Sequence, residues 1–448
     1  MRSHVQLGLE MKLGSFGLEE RWEALRSLYS LFQNDQVACC PESPTVNLHC
    51  HTFFSFNAYD YSPAALAWEA KKRGLYAVGV VDFDVLDGAE EFLRATKLLE
   101  LRGMTGLESR VFVQEWSDRE INSPKEPGIA YFMGAGFNRM PKKGTRSETM
   151  LDTMRRLSRE RNEEILGRIN RYLREVTVDY EKEVLCLTPS GNATERHMLV
   201  ALDEKARKVY SDEATLVDFW SGALETSRDQ VKGLISRPAE LQILIRSKLM
   251  KHGGPGYVLP EAGRFPAIEE VFRMVTDLDA VPTATWLDGT SEAEKDANRY
   301  LDYFMDMGIG CINIIPDRNW NIQDPGVRDL KVGKLHEIVG LAEKRHLPIL
   351  VGTEMNKHGQ MFVDDFHAGP MVPMRASFLR GARIMHGHIL TREYWGWGLM
   401  SQESLDRFGR NWEKRNRFFE EIGAMRPVPN GQAEDAFQRK MTEIWDAA

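Results

Sequence analysis

The sequence predicts an α/β protein: a β/α barrel with a helical insertion and helical extensions at both ends. Three observations predict it. Short apolar runs alternate with helical stretches from Val46 onward and again after Pro266, the rhythm of βα units with a parallel sheet. Polar residues follow the ends of those runs, at His51, Asp82 and Glu108, where parallel β/α folds carry their sites. The length of 448 residues exceeds an average domain and suits one barrel with insertions.

The elements follow in order. Residues 1–45 form an N-terminal helical extension with a stripe of Leu18, Trp22, Leu25 and Tyr29, and Pro41 to Pro44 break it before the first strand. Residues 46–140 and 253–373 carry the barrel. Ser62-Pro63 caps a helix that Gly74 stops. Tyr76 to Val81 is a buried strand, Gly88 to Leu101 a helix closed by Gly103, and the next strand ends at Glu108; Tyr131 to Gly134 is one more strand. Residues 141–252 break the rhythm with a long charged helix from Ser147 to Val176. They read as a mostly helical insertion capping the barrel mouth, although such a charged helix is usually solvated surface. Strands return at Val281–Thr285, Cys311–Ile315 and Pro348–Gly352, with helices at Ala267–Leu278, Ser291–Gly308 and Val332–Lys344. Residues 374–448 are a helical C-terminal extension.

Composition bounds the function. A net charge of −8 argues against general nucleic-acid binding. Five cysteines without a CxxC point to a reducing compartment rather than a disulfide framework. No signal-peptide core or eighteen-residue apolar run is present, so a cytoplasmic protein without a membrane span is expected.

The most informative stretch is Val46-Asn47-Leu48-His49-Cys50-His51-Thr52. Residues two apart on a strand share a face, so His49 and His51 aim two imidazoles at one point while Cys50 turns away. Alone, an HxH is more often one packed and one solvated histidine. The collected strand-end residues His49, His51, Asp82, Glu108, Arg318 and Glu354 change that weighting. Two imidazoles and two carboxylates suit one divalent transition metal, which would polarise a phosphoryl or acyl oxygen and acidify a water to a pKa of about 7. Taken singly, Asp82 reads as a helix cap and Glu354 as an arginine partner.

The order of motifs resembles the PHP (polymerase and histidinol phosphatase) superfamily of metal-dependent phosphoesterases. Its HxHT lines up with His49-Cys50-His51-Thr52, with Ser55 following. Its TDHD lines up with Val81-Asp82-Phe83-Asp84, its GxE with Gly106-Leu107-Glu108, and its final GSDxH with Gly352-Thr353-Glu354-Met355-Asn356. An inserted helix start resembles Thr194-Glu195-Arg196-His197, and the resemblance covers roughly residues 46–360. It implies a distorted seven-stranded, TIM-like β/α barrel, a Zn, Mn or Fe centre, and phosphoester or nucleotide-like substrates. Several family ligands are replaced here: Phe83, Tyr131, Trp286, Asn57 and Asn356 stand where ligands are expected. The set left for a single metal is His49, His51, Glu108 and Glu354.

The resemblance therefore implies a one-metal hydrolase, a phosphoesterase on a small anionic or nucleotide-like substrate. Arg196, His197 and Arg318 would grip the anion, and Asp82 or Asp84 would carry a proton or orient a ligand. A one-metal hydrolase acting on a C–N or C–O bond is an alternative, and so is a binding protein on a retired enzyme fold. Trp395, Trp397, Trp412, Phe418 and Phe419 read as core or as contacts of a homo-oligomer formed through the C-terminal helices. His386-Gly387-His388 is a second HxH whose setting reads as a helix end with a structural role; His358, His367 and Asp364-Asp365 read as loop residues.

Overall fold

The computed structural model describes residues 4–428 and 434–448. Seven strands, β1 (Ser43–Cys50), β2 (Leu75–Phe83), β3 (Arg102–Phe112), β4 (Ile129–Ala135), β5 (Val281–Trp286), β6 (Cys311–Ile314) and β7 (Ile349–Val351), form one sheet in sequence order. The chain beyond β7 returns to β1. Glu354 N–H donates to His49 O, and His51 N–H donates to Glu354 O, each at 2.8 Å, a parallel bridge opposite Cys50. The sheet is thus a nearly closed, distorted barrel with helices around it.

One strand departs from the expected parallel sheet. β4 runs antiparallel to both β3 and β5. A parallel return needs a crossover, usually a helix, and the link from β3 to β4 holds only the short turn Gln114–Trp116. β3 also runs past the expected end, so Glu108 lies mid-strand, opposite Phe83 on β2 and Met133 on β4.

Local chemistry sets the element ends. Ser62 Oγ accepts from Ala65 N–H at 3.0 Å, Pro63 opens the helix Pro63–Arg73, and Gly74 ends it at φ 68°, a left-handed cap that favours glycine. Gly103 is not the stop expected for the next helix, which is Ala89–Leu98. It lies in β3, where a Cβ would come 2.4 Å from Thr96 Oγ1; its role is close helix–strand packing. In the N-terminal helix Leu18–Gln33 the buried stripe is Ala24, Leu25, Leu28 and Tyr29, while Leu18 is exposed.

The insertion has a core of its own around Ile165, Ile169, Leu173, Trp220 and Leu241. It is pinned to the barrel: Asn192 Nδ2 donates to Phe54 O at 3.1 Å and Phe83 O at 2.9 Å, and Arg155 pairs with Asp87. At the other side, helix Arg375–Trp395 crosses helix Trp412–Ala424 with backbones nearly touching. A Cβ on Gly387 would lie 1.9 Å from Phe419 O, and one on Gly423 would lie 1.7 Å from Arg383 O. Trp395 and Trp397 stack on each other at 5.6 Å and on the buried Phe418, so these aromatics pack inside the chain's own core. Among the described residues, no helix is long and apolar enough to cross a membrane.

Candidate metal centre and its pocket

Three ligand atoms converge at the barrel mouth. His49 Nε2 and His51 Nε2 each lie 3.6 Å from Glu108 Oε2, and the three side chains offer ligand atoms within 4.8 Å of one another. All three atoms are buried without a hydrogen-bond partner. Buried polar atoms are normally paired, so three orphans facing one point need a common partner. A tetrahedral cation with bonds of about 2.1 Å has ligand–ligand edges of about 3.4 Å. The donor set, two imidazoles and a carboxylate, is that of a divalent transition metal with an open position.

The surroundings fix which nitrogen faces inward. Asp82 accepts from Thr52 N–H and Thr52 Oγ1, both at 2.7 Å, and from Ser55 Oγ at 2.6 Å. Ser55 thereby spends its proton on Asp82, and its oxygen accepts from His51 Nδ1–H at 3.2 Å. Asn313 Oδ1 on β6, which can only accept, lies 3.3 Å from His49 Nδ1. In the neutral rings both Nε2 atoms then present their lone pairs inward, the orientation that ligating histidines need. Phe83 stacks on the His51 ring at 4.6 Å and 14°, and Gly352 sits so close that a Cβ would meet His49 Cβ at 2.4 Å. Burial lowers the pKa of His51 to about 3, with the charge on His49 acting the same way. For His49, burial acts downward too, but Glu108 outweighs it and raises the pKa.

Glu354, expected as the fourth ligand, is not in this group. Arg318 Nη2 donates to Glu354 Oε1 and to Oε2, each at 2.9 Å. Against burial, Arg318 and then the two histidines hold the Glu354 carboxyl down at about 2. Glu354 follows β7 in the left-handed region, at φ 61°, and the closure of the barrel through its backbone sets its place beside Arg318.

The other expected residues divide. Asp82 does not line the pocket; its three hydrogen bonds are spent on the Thr52–Ser55 turn, so it positions His51 instead of meeting a ligand. Asp84 does line it, accepting from Ser109 Oγ at 2.6 Å, and burial raises its pKa. His197 is not an anion grip. Its Nδ1 accepts from Thr194 N–H at 3.0 Å as part of a capping box on helix Glu195–Val209, and burial lowers it to about 4. Arg196 and Arg318 do line the pocket. Asn57 ties down the loop after His51, its Nδ2 donating to His51 O at 2.8 Å. Trp286 is wholly buried.

The pocket, a cavity of ≈ 160 Å³, joins the barrel mouth to the insertion. Sequence reasoning missed much of its wall: Arg110, Arg161, Glu195 and Arg246. Asn313 was missed as well, although a lone Asn inside Cys311–Ile314, a strand otherwise apolar, is a signal in itself.

Comparison with known proteins adds to this geometry. No family model matches the chain. DNA polymerase III subunit alpha of Saccharopolyspora erythraea is 28% identical over 220 residues, 45% of this chain. The match spans 18% of that relative's length. Among solved structures, a protein assigned as a metal-dependent phosphoesterase from Bifidobacterium adolescentis aligns at a TM-score of 0.46 and 16% identity, covering 75% of this chain and 97% of that one. An amidohydrolase from Chromobacterium violaceum, with bound sulfate and no metal, aligns at 0.43 and 13% identity over 70% and 88%.

Proposed function

We propose that the protein is a metal-dependent hydrolase of phosphoesterase type, acting on a small anionic substrate through a single metal. The observation that carries this reading is the convergence of three buried, unpartnered ligand atoms at the edge of an arginine-lined pocket. His49, His51 and Glu108 would hold zinc, manganese or iron. When bound, such a cation supplies a Lewis acid that polarises the scissile group and acidifies water.

The chain's own residues do the rest. Ser55 and Asn313 fix the imidazole tautomers. Arg318, held by Glu354, faces the anion at the metal end, where a guanidinium fork matches phosphate oxygens, and Arg196 lines the insertion side of the same pocket. Asp84, its pKa raised by burial, is the proton carrier at the wall. The Tyr131 phenol, raised by burial as well, stays protonated and can donate to a leaving oxygen.

The test is elemental analysis of protein purified without chelator, joined to hydrolysis of p-nitrophenyl phosphate, bis(p-nitrophenyl) phosphate, p-nitrophenyl acetate and an anilide. Metal-dependent phosphate release that Glu108→Gln abolishes is the expected result. Release from the ester or anilide alone moves the activity to C–O or C–N bonds. A second reading, a binding protein that does not cut, is favoured by Arg318 neutralising Glu354 and by Phe83 and Trp286 at positions where ligands were expected. Metal and anion binding without turnover on any of the four substrates supports it.

A further inference from the structure

Five arginines line the pocket: Arg110, Arg161, Arg196, Arg246 and Arg318. Three have carboxylate partners, Arg110 with Glu126, Arg246 with Glu195 at 2.7 Å and Arg318 with Glu354 at 2.9 Å. Among the described residues, the pocket's ion pairs leave out Arg161 and Arg196. Arg161 donates to the backbone carbonyl of Arg264 at 3.2 Å, and its guanidinium lies 4.4 Å from the Phe265 ring, which Arg110 also contacts at 4.7 Å. Asp84 faces Arg161 and offsets part of its charge, but its hydrogen bond goes to Ser109.

Burial, then Arg110, lowers the Arg161 pKa to about 10; burial, then Arg246, does the same to Arg196. Glu195 and Glu126 also offset Arg161, and Glu195 and Glu354 offset Arg196, but neither desolvated guanidinium has a hydrogen-bonded carboxylate of its own, and a negative ligand group can take up the donors left over. Both residues come from the insertion, Arg161 on helix Arg146–Leu173 and Arg196 in the first turn of helix Glu195–Val209. The metal ligands come from the barrel. Asn192 ties the two parts together.

We infer that the pocket takes a small molecule with two separate anionic groups, one at the His49–His51–Glu108 end beside Arg318 and the other held by Arg161 and Arg196 of the insertion. Phosphorylated carboxylic acids and small bisphosphates are the matching chemical class. The inference rests on the hydrolase reading for the role of the first group only; the selectivity for a second anionic group stands on the arginines.

The test is calorimetry on the full chain with two non-hydrolysable probes, phosphonoacetate with two anionic groups and methylphosphonate with one. Wild type should bind phosphonoacetate at least about tenfold more tightly, and Arg161→Gln or Arg196→Gln should each remove most of that preference while leaving methylphosphonate within about twofold. Arg161→Lys keeps the charge and should retain an intermediate preference. Equal affinities in wild type, or no binding of either probe, overturn the proposal, and that comparison holds even if a variant fails to fold. Repeating it on chelator-treated protein separates the two claims: missing metal sinks the hydrolase reading, whereas missing selectivity in both preparations sinks this one.

Discussion

His49-Cys50-His51 ends β1, whereas His386-Gly387-His388 lies in the middle of helix Arg375–Trp395, not at its end. The spacing is identical and the backbone is not. On a strand, positions two apart share a face; on a helix they point about 200° apart. The first pair therefore brings two Nε2 atoms to one carboxylate oxygen. The second pair splits. His388 Nε2–H donates to Gly136 O at 2.9 Å, and its Nδ1 accepts from Leu399 N–H at 3.0 Å, so both ring nitrogens are spent on the fold. His386 turns elsewhere, its pKa lowered to about 3 by burial and then by Arg102, and among the described residues it belongs to no cluster of metal-ligating side chains. Between them Gly387 admits the Phe419 carbonyl. A His-x-His is thus informative only together with the period of the backbone that carries it.

The comparison can be broken most directly at the ligands. His49→Ala and Glu108→Ala should each weaken metal affinity at least about a hundredfold in competition with a chromophoric chelator. His386→Ala should leave it unchanged, and a loss there equal to that of His49→Ala would erase the distinction between the two motifs. One layer out, Ser55→Ala and Asn313→Ala should cost about 10–100-fold in the same assay, because each frees an imidazole to rotate or change tautomer.

On the helical side, His388→Ala should leave metal affinity unchanged and lower unfolding stability by about 1–3 kcal/mol in a urea titration, since Gly136 O and Leu399 N–H lose their partner. Stability should also depend on pH. The folded-state pKa values of His388 and His197 are lowered to about 4, in both cases chiefly by burial, from an ordinary 6.5. The unfolded chain therefore binds protons first as pH falls. Stability is complete above pH 6.5 and should decline towards pH 4, by about 1.4 kcal/mol per pH unit for each group. A thermal midpoint that stays flat across that window would contradict the buried, neutral state of both rings.

Legibility in the sequence followed the same division. His49 and His51 could be read as a converging pair because strand alternation places side chains without knowledge of their neighbours, and Glu108 because it stands in the Gly106-Leu107-Glu108 of the family resemblance. The parallel strands could be read from the βα rhythm, but β4 could not, since an apolar run carries no direction. The pairing of Glu354 with Arg318 was not legible because Arg318 follows a different strand, and only the closure of the barrel brings the two together. Asp82 instead accepts from Thr52 and Ser55 in the turn after β1, and His197 caps its own helix, pairings that the sequence does not display. Arg161 was hidden by composition: a long charged helix reads as solvated, and nothing in its period shows that one guanidinium faces a pocket.

Metal content measures the central claim most directly. Wild-type protein, loaded with zinc and dialysed, should retain about one equivalent per chain, and Glu108→Gln treated identically should retain far less. Wild type retaining far less than one, or Glu108→Gln retaining as much as wild type, would contradict a cation centre at His49, His51 and Glu108.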